Sequence, residues 1–337
     1  MMSRGSDDPS SGAHTPDGCG EKSAQPCVVG AGDHRSAAEY RLRARDRLLE
    51  LGSRPWLMGI INASPDSFSD GARYPTLDAQ VQLARELIAG GADILDIGGE
   101  SASTDRLPVP VDEEMGRVVP LIERIAGEMG AIVSVDTYKP PVALAAIAAG
   151  AKIVNDVSGL RDPGLADVCA QTGAALVVMH TRAAPRQRLQ DPDLYGDITT
   201  EVLAFLRERI ALATAAGVAP EQVIVDPGPD FAKTPAQTIR LLAQLDRLHE
   251  LGRPLLMAIS RKDFIGALTG RAPRQRLAGT LAALAHGADA GAHIFRVHDV
   301  AAAVDFLTVR AALSGELEIG ADLTLVEQLR HDRSAAN

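Results

Sequence analysis

Residues 58–71 read MGIINASPDSFSDG, and the first half of this stretch decides the fold. The run from Met58 to Ile61 is continuously apolar, which is typical of a strand that is covered on both faces. The run stops at Asn62, and the polar loop that follows carries two aspartates, three serines and Phe68. Seven other apolar runs of the chain end in the same way, on a polar residue.

The same pattern recurs along the chain as an alternation of strands and helices. The runs that we interpret as buried parallel strands are LMGIIN, ADILDIG, AIVSVD, KIVNDV, ALVVMH, QVIVD, PLLMAIS and HIFRVHD. A helical pattern follows each run, and Thr234 and Gln237 have the spacing of a capping box at the start of one such helix. Eight strand–helix units at intervals of about 33 residues predict an α/β fold of the (β/α)8 TIM barrel type.

Each predicted strand ends on polar residues, and in such a barrel the strand ends meet on one face. In chain order these residues are Asn62, Asp96, Asp136, Asn155, His180, Asp226, the run Ser260, Arg261 and Lys262, and the pair Arg296 and His298. Barrel enzymes place their active sites on this C-terminal face. We therefore expect these side chains to converge on one site. The alternative for each residue alone is that it caps a helix or pairs with a neighbour.

The two ends of the chain lack the barrel pattern. Residues 1–36 are rich in Ser, Gly, Asp and Pro, a composition that predicts a disordered N-terminal tail. Residues 37–51, AAEYRLRARDRLLEL, have the pattern of a charged amphipathic helix. We assign residues 37–315 to the barrel domain and residues 316–337 to a polar C-terminal tail.

The composition argues against several classes of function. A formal net charge of −10 argues against non-specific nucleic-acid binding, and an aromatic fraction of 3% argues against a base-stacking surface. The chain contains no apolar run of the ~18 residues that a transmembrane helix requires, and its N-terminus has no apolar signal core. The 3 cysteines are too few and too scattered for a disulfide framework. We predict a cytoplasmic protein with no membrane or nucleic-acid partner.

Several of the strand-end residues suit a flat heterocycle. A 2-amino-4-oxopyrimidine presents N–H donors along one edge, which a buried carboxylate, Asp226 or Asp136, would accept. The Asn155 amide suits an edge with both a donor and an acceptor, and Lys262 would meet a ring carbonyl or nitrogen. We therefore expect a small heterocyclic substrate at the barrel mouth.

The ends of the last two strands suit an anion. The loops after strands 7 and 8 are the usual phosphate site of this fold, and here they carry Arg261, Lys262, Arg296 and His298. Two alternatives stay open: Arg261 and Arg296 pair with nearby carboxylates, and His298 is a core histidine. With a diphosphate present, Asn62 would supply one oxygen ligand to Mg²⁺.

Eight motifs in this order resemble those of the dihydropteroate synthase family, over about residues 55–312. The motifs are MGIINASPDSFSDG, GADILDIGGES, SVDTYKP, IVNDVSGL, VVMHTRAAP, DPGPDFAKT, SRKDFIG and RVHDV. The resemblance implies condensation of 6-hydroxymethyl-7,8-dihydropterin diphosphate with p-aminobenzoate, giving 7,8-dihydropteroate and pyrophosphate, with Mg²⁺ as cofactor. It also implies a homodimer.

The resemblance also implies roles for individual residues. It implies that the pterin lies among Asp136, Asn155, Asp226 and Lys262, in a pocket lined by Met179 and Phe231. We expect Asp96 to bind the substrate as well. It places Arg296 against the ring and places Arg296, His298 and Asn62 toward the diphosphate and Mg²⁺, with Ser260 near the aminobenzoate. From the anion argument alone, we expect Arg261 to bind the substrate. Phe68 and Asp70 belong to a loop over the site. We expect Asp70 and Asp136 to stabilise the cation that forms as diphosphate leaves, and Lys262 to act with them.

Two loops depart from the family pattern. The family's second loop reads ESTRPG, whereas Glu100 and Ser101 are followed here by ASTD, without the family's Thr and Arg. We therefore predict altered sensitivity to sulfonamides, which mimic the aminobenzoate. The family's sixth-strand loop reads DPGxGFGKT, and here Pro229, Asp230 and Ala232 predict a stiffer backbone.

Because of the second loop, two alternatives to the synthase stay open. The first is a pterin-binding relative without this catalysis, and the second is a methyltetrahydrofolate methyltransferase. The methyltransferase reaction has no diphosphate leaving group, so the cations after strands 7 and 8 argue against it.

Overall fold

The structure is a computed structural model that describes residues 39–63, 74, 76–100, 107–326 and 329–330. The strands of the barrel are β3 (Trp56–Asn62), β4 (Ile94–Gly98), β5 (Ile132–Asp136), β6 (Ile153–Asp156), β7 (Ala175–Met179), β8 (Val223–Asp226), β9 (Leu256–Met257) and β10 (Ile294–Val297). The helices are α1 (Leu77–Ala89), α2 (Val111–Met129), α3 (Pro140–Ala149), α4 (Gly164–Thr172), α5 (Ile198–Ala215), α6 (Pro235–Leu242), α7 (Asp263–Thr269), α8 (Leu277–Asp289) and α9 (Val300–Ser314).

The strands β3 to β10 form a ring of parallel strands, and the predicted (β/α)8 barrel is confirmed. Their order in the sheet is β8-β7-β6-β5-β4-β3-β10-β9. A parallel bridge between Val225 and Leu255 joins the two ends, where the Val225 N–H donates to the Pro254 carbonyl at 3.0 Å. The ring closes between β8 and β9. Because the strands are parallel, their C-termini lie on one face of the barrel.

Alternation along the strands separates the barrel interior into apolar and polar layers. Ile94, Ile153, Ile224 and Ile294 lie in one buried apolar cluster. Residues two positions further along a strand point to the same side of a sheet. In the same strand order those residues are Asp96, Asn155, Asp226 and Arg296. The polar groups therefore lie one layer nearer to the C-terminal face than the apolar cluster.

The predicted helix over residues 37–51 is wrong, because residues 40–51 form an antiparallel hairpin. Its strands are β1 (Tyr40–Ala44) and β2 (Arg47–Leu51). The buried positions alternate with more exposed ones, and Leu42, Ala44, Leu49 and Leu51 belong to the same apolar cluster as the lower barrel layer. The hairpin therefore covers that apolar layer. Burial of every second side chain against this layer favours strands over a helix.

The structure confirms the predicted start of α6. The Thr234 hydroxyl accepts from the Gln237 N–H at 3.2 Å, and the Gln237 amide oxygen accepts from the Thr234 N–H at 2.8 Å. These two bonds form the capping box that the sequence predicts. Within the described residues, no helix has the length and apolar character needed to cross a membrane.

Candidate active site

Four of the predicted site residues form one hydrogen-bonded group at the barrel mouth. Asp96 is fully buried, and its Oδ2 accepts from Arg296 Nε at 2.6 Å and from Asn155 Nδ2 at 3.0 Å. Asp136 Oδ2 accepts from Arg296 Nη2 at 2.8 Å. The strand register explains this grouping, because Asp136 and Asn155 are direct neighbours in β5 and β6. The structure thus gives Arg296 two carboxylate partners, as the pairing alternative predicts, while the role of this residue toward a diphosphate stays a prediction.

Asp136 shares its environment with other acidic groups. Burial raises the pKa of Asp136 to about 7, the Arg296 guanidinium opposes the rise, and the nearby Asp96 carboxylate adds to it. Asp96 also keeps a buried Oδ1 that has no hydrogen-bond partner among the described residues. A buried acceptor without a donor is costly, so the group is suited to a ligand that brings N–H donors.

Asp226 and Met179 lie side by side beyond this group. They are register partners in β7 and β8, and both are buried. Asp226 Oδ1 accepts from the Gly228 N–H at 2.7 Å. Burial raises the pKa of Asp226 to about 6, which the Gly228 N–H and the Lys262 ammonium partly oppose. At neutral pH a carboxylate with this pKa is mostly ionised and can accept two N–H donors.

Lys262 and Phe231 meet although they belong to different loops. The Lys262 ammonium lies 4.2 Å from the centre of the Phe231 ring. Burial lowers the pKa of Lys262, and the carboxylates of Asp230 and Asp226 oppose that shift. An aromatic face beside a cation and a carboxylate forms one wall of a pocket for a flat, polar ring.

The residues after β9 and β10 form a second group. Ser260 Oγ lies 2.9 Å from His298 Nδ1 and accepts from the His298 N–H at 3.2 Å. Burial lowers the pKa of His298 to about 3, so this imidazole is neutral at pH 7. Arg261 donates through Nε and Nη2 to the Asp299 carboxylate, at 3.2 and 2.8 Å. Arg261 is thus paired with a carboxylate as well, and its role in binding the substrate stays a prediction.

Asn62 ends β3 opposite Gly98 and is partly exposed. In the described residues there is no group of three His, Cys, Asp or Glu side chains that could hold a metal ion. The donors present therefore fit Mg²⁺ only where a bound diphosphate supplies further oxygen ligands beside Asn62. Phe68 and Asp70, which the sequence predicts for the same mouth, lie outside the described residues, as do residues 101–106.

His180 does not join the mouth, and its expected convergence there is wrong. Its ring packs edge-on against Phe205 of α5, with centroids 4.8 Å apart, and its Nδ1 lies 2.8 Å from Lys233 Nζ. Met179 and Asp226 are neighbours inside the barrel. Because successive side chains of a strand point to opposite faces, the next residue, His180, faces the helices.

Lys233 is a buried lysine that the sequence did not single out. It is fully buried, and its ammonium donates to the carbonyls of Gly228 and Phe231 at 2.9 and 3.0 Å. Burial lowers the pKa of Lys233 to about 7, and the Asp226 carboxylate opposes this shift. The available signal was a lone lysine directly before a helix cap, and that pattern is usually an exposed one.

Glu100 holds a further network that the sequence analysis did not predict. Its Oε1 accepts from Arg186 Nη1 at 3.0 Å and from the Tyr138 hydroxyl at 3.1 Å. Its Oε2 accepts from Lys139 Nζ at 2.7 Å and from the Val109 N–H at 3.2 Å. The loops after β4, β5 and β7 are thereby joined at the rim of the mouth.

Comparison with known proteins gives this geometry a context. The family model described as pterin binding enzyme matches residues 58–298. The dihydropteroate synthase of Synechocystis sp. is 42% identical over 268 residues, which are 79% of this chain and 92% of that protein.

Two solved structures of Xanthomonas albilineans dihydropteroate synthase are also similar. One, with 4-aminobenzoic acid, has a TM-score of 0.75 at 46% identity and covers 82% of this chain and 98% of that one. The other, in complex with 7,8-dihydropteroate, has a TM-score of 0.72 at 46% identity and covers 81% of this chain and 98% of that one.

Proposed function

We propose, because this chain belongs to the dihydropteroate synthase family of pterin-binding enzymes, that its barrel mouth condenses 6-hydroxymethyl-7,8-dihydropterin diphosphate with p-aminobenzoate. The products are 7,8-dihydropteroate and pyrophosphate, which makes the chain a transferase of the pterinylmethyl group in folate biosynthesis. The observation that carries the proposal is the grouping of Asp96, Asp136, Asn155 and Arg296 in one hydrogen-bonded set beside Asp226.

The pterin subsite is assigned to the wall between Asp226 and Lys262. The ionised Asp226 carboxylate would accept the 2-amino group and the adjacent ring N–H, while the Asn155 amide offers a donor and an acceptor. Lys262 would donate to the ring carbonyl or a ring nitrogen beside the Phe231 face. This arrangement holds the ring by its edge and leaves its methylene substituent toward the anion group.

In the chemical step, the carbon–oxygen bond to diphosphate breaks and the aniline nitrogen forms a carbon–nitrogen bond to the same methylene. The neutral aniline is already a nucleophile without a strong base, and after the bond forms its nitrogen gives up a proton to water or to the released pyrophosphate. Positive charge develops on the pterin methylene as the bond breaks, and the carboxylate of Asp136 is placed to stabilise it. Arg296 would stabilise the departing diphosphate, with the neutral His298 as a hydrogen-bonding partner.

Asn62 and the diphosphate oxygens would hold Mg²⁺, which when bound neutralises part of the diphosphate charge. Roles for Phe68 and Asp70 in this step, and altered sulfonamide sensitivity from residues 101–106, stay predictions. The cytoplasmic location and the homodimer stay predictions as well.

The experiment that tests the proposal measures pyrophosphate release by the purified chain with dihydropterin diphosphate and Mg²⁺, with and without p-aminobenzoate. Release that requires aminobenzoate supports the synthase. Pterin binding without release would favour the non-catalytic relative. Turnover of methyltetrahydrofolate with a corrinoid partner would favour the methyltransferase.

A further inference from the structure

Two residues of the loop between β8 and α6 adopt a backbone conformation that side chains disfavour. Asp230 has φ of +66° and Ala232 has φ of +50°, on either side of Phe231. The left-handed region is uncommon for residues other than glycine, although aspartate tolerates it better than most. In the family pattern DPGxGFGKT both positions are glycine, so this chain holds the same turn with two side chains added.

The Asp230 side chain connects this loop to two helices. Its backbone N–H donates to the Thr238 hydroxyl at 3.0 Å, and that hydroxyl donates back to Asp230 Oδ1 at 3.0 Å. Its other oxygen, Oδ2, accepts from the Phe264 N–H at 3.2 Å. Thr238 belongs to α6 and Phe264 to the first turn of α7. Ala232 has no side-chain polar group, so this connection depends on Asp230.

The contact with Phe264 replaces a missing helix cap. The N-cap residue of α7 is Lys262, which has no side-chain acceptor and makes no capping bond. The first N–H groups of a helix need an acceptor from outside the helix. Asp230 supplies one from the neighbouring loop and thereby fixes the backbone that carries Lys262.

The two ends of the bond to α7, Asp230 and Phe264, lie within two residues along the chain of Phe231 and Lys262, which form the pocket wall. Phe231 follows Asp230 directly, and its ring lies 4.2 Å from the Lys262 ammonium. The Asp230 carboxylate also counters the effect of burial on the Lys262 ammonium. Asp230 thus affects the positions of the Phe231 ring and of the Lys262 ammonium, and its carboxylate favours the charged form of Lys262.

We propose that Asp230 is a positioning residue for the pterin pocket, which sets the distance between Phe231 and Lys262 by capping α7 from the β8–α6 loop. The inference rests on the proposed function, because the ligand of this pocket is taken to be the dihydropterin diphosphate. A chain with glycine at this position would make the same turn without the connection to α7.

Three variants separate positioning from backbone strain. Asp230→Gly removes the carboxylate bonds and also relieves the left-handed conformation, so the loss of bonds is partly offset in the folding stability. Ala232→Gly relieves the same kind of strain one residue beyond Phe231 and removes no side-chain hydrogen bond. Asp230→Asn keeps one acceptor oxygen and tolerates the left-handed region. Calorimetry with dihydropterin diphosphate and Mg²⁺, without aminobenzoate, gives the pterin dissociation constant for each variant and for the unaltered chain.

We expect Asp230→Gly to raise the pterin dissociation constant about tenfold, equivalent to the loss of about 1.4 kcal/mol. Asp230→Asn should fall between Asp230→Gly and the unaltered chain, and Ala232→Gly should stay within about twofold. Unchanged pterin affinity in Asp230→Gly, or an equal loss in Ala232→Gly, would overturn the inference, with circular dichroism checking that every variant is folded.

A parallel pyrophosphate assay separates this inference from the proposed function. If the unaltered chain binds pterin but releases no pyrophosphate, the synthase proposal fails, while weaker binding by Asp230→Gly still supports the positioning role. If the unaltered chain is active and Asp230→Gly binds pterin normally, the positioning role alone fails. If the unaltered chain does not bind pterin, both fail.

Discussion

The Nη2 of Arg296 lies 2.8 Å from the Oδ2 of Asp136, and this pair spans the mouth of the barrel. The same guanidinium donates through Nε to Asp96, so Arg296 has two carboxylate partners. A diphosphate that binds at this mouth must share or take over these donors. Substrate binding would thereby weaken the hold of Arg296 on Asp136 and leave the Asp136 carboxylate for the pterin.

Replacing Arg296 should therefore affect both stability and catalysis. Arg296→Met leaves the buried Asp96 and the partly buried Asp136 without their cation, and breaking a buried pair from one side costs about 3–5 kcal/mol. We expect a loss of kcat of at least about 100-fold, because one charge-stabilising donor contributes about that factor. Urea unfolding and the pyrophosphate assay measure the two effects.

Arg296→Lys serves as the control for this variant. It keeps the charge but cannot donate to two carboxylates from one planar group. Stability should recover in part, with kcat remaining low. Near-normal kcat in Arg296→Met would contradict the assigned role.

The pKa of Asp226 predicts a pH dependence of pterin binding. Burial raises this pKa to about 6, and only the ionised carboxylate accepts both N–H donors of the pterin edge. Affinity should fall as the pH is lowered through about 6, and Asp226→Asn should bind at least about tenfold more weakly at pH 7.5. Calorimetry at several pH values checks both expectations. A pH profile for Asp226→Asn that still bends at about pH 6 would assign the effect to another group.

The raised pKa of Asp226 also makes stability depend on pH. The direction of this dependence is opposite to that of an aspartate whose pKa is lowered by an ion pair. Between the ordinary pKa of 3.8 and about 6, the folded protein holds a proton on Asp226 that the unfolded chain has lost. The contribution of Asp226 to the free energy of unfolding therefore decreases as the pH rises through this window. The difference in that free energy between the unaltered chain and Asp226→Asn should show this decrease.

Lys233 should matter for stability far more than a surface lysine. Lys233→Met removes the ammonium that satisfies the carbonyls of Gly228 and Phe231, and each buried group left unsatisfied costs about 1–3 kcal/mol. We expect a loss of about 2–4 kcal/mol in the free energy of unfolding by urea. The control Lys152→Met loses an ion pair with the exposed Asp46 and should cost less than about 1 kcal/mol. Equal losses in both variants would refute the assigned contacts.

The hairpin of β1 and β2 can be tested with two adjacent leucines. Leu49 is 5% exposed and belongs to the apolar cluster with the lower barrel layer, whereas Leu48 is 56% exposed. Leu49→Ala should lower the free energy of unfolding by about 2–4 kcal/mol, and Leu48→Ala by less than about 0.5 kcal/mol. Both variants should keep their pterin affinity, because the hairpin and the barrel mouth lie on different layers. A helix over residues 37–51 would not require Leu49 to be buried and Leu48 exposed. Equal losses in the two variants would therefore contradict the hairpin.

The barrel was predictable from the sequence because its strands are continuous apolar runs that recur with one spacing. The polar residues two positions beyond the buried isoleucines, such as Asp96 and Arg296, marked the mouth for the same reason. Because side chains alternate along a strand, His180 faces outward if Met179 faces inward. The inward position of Met179 follows from its register with Asp226, which the sequence alone does not give.

Other features depend on contacts that local sequence does not encode. The hairpin has too few alternating residues to be told from a helix, and the barrel layer that it covers selects the strand conformation. The burial of Lys233 depends on hydrogen bonds to carbonyls of its own loop, and these bonds form only in the folded chain. The left-handed backbone of Asp230 could not be predicted from the residue type, because aspartate occurs in many kinds of turn.

The most direct test of the central claim is a single-turnover reaction of the purified chain with dihydropterin diphosphate, Mg²⁺ and p-aminobenzoate, followed by mass measurement of the pterin product. The synthase predicts one 7,8-dihydropteroate for each pyrophosphate released, and loss of both in Arg296→Met. Pyrophosphate without dihydropteroate, or tight pterin binding with neither product, would contradict the assignment of this barrel mouth as the site of condensation.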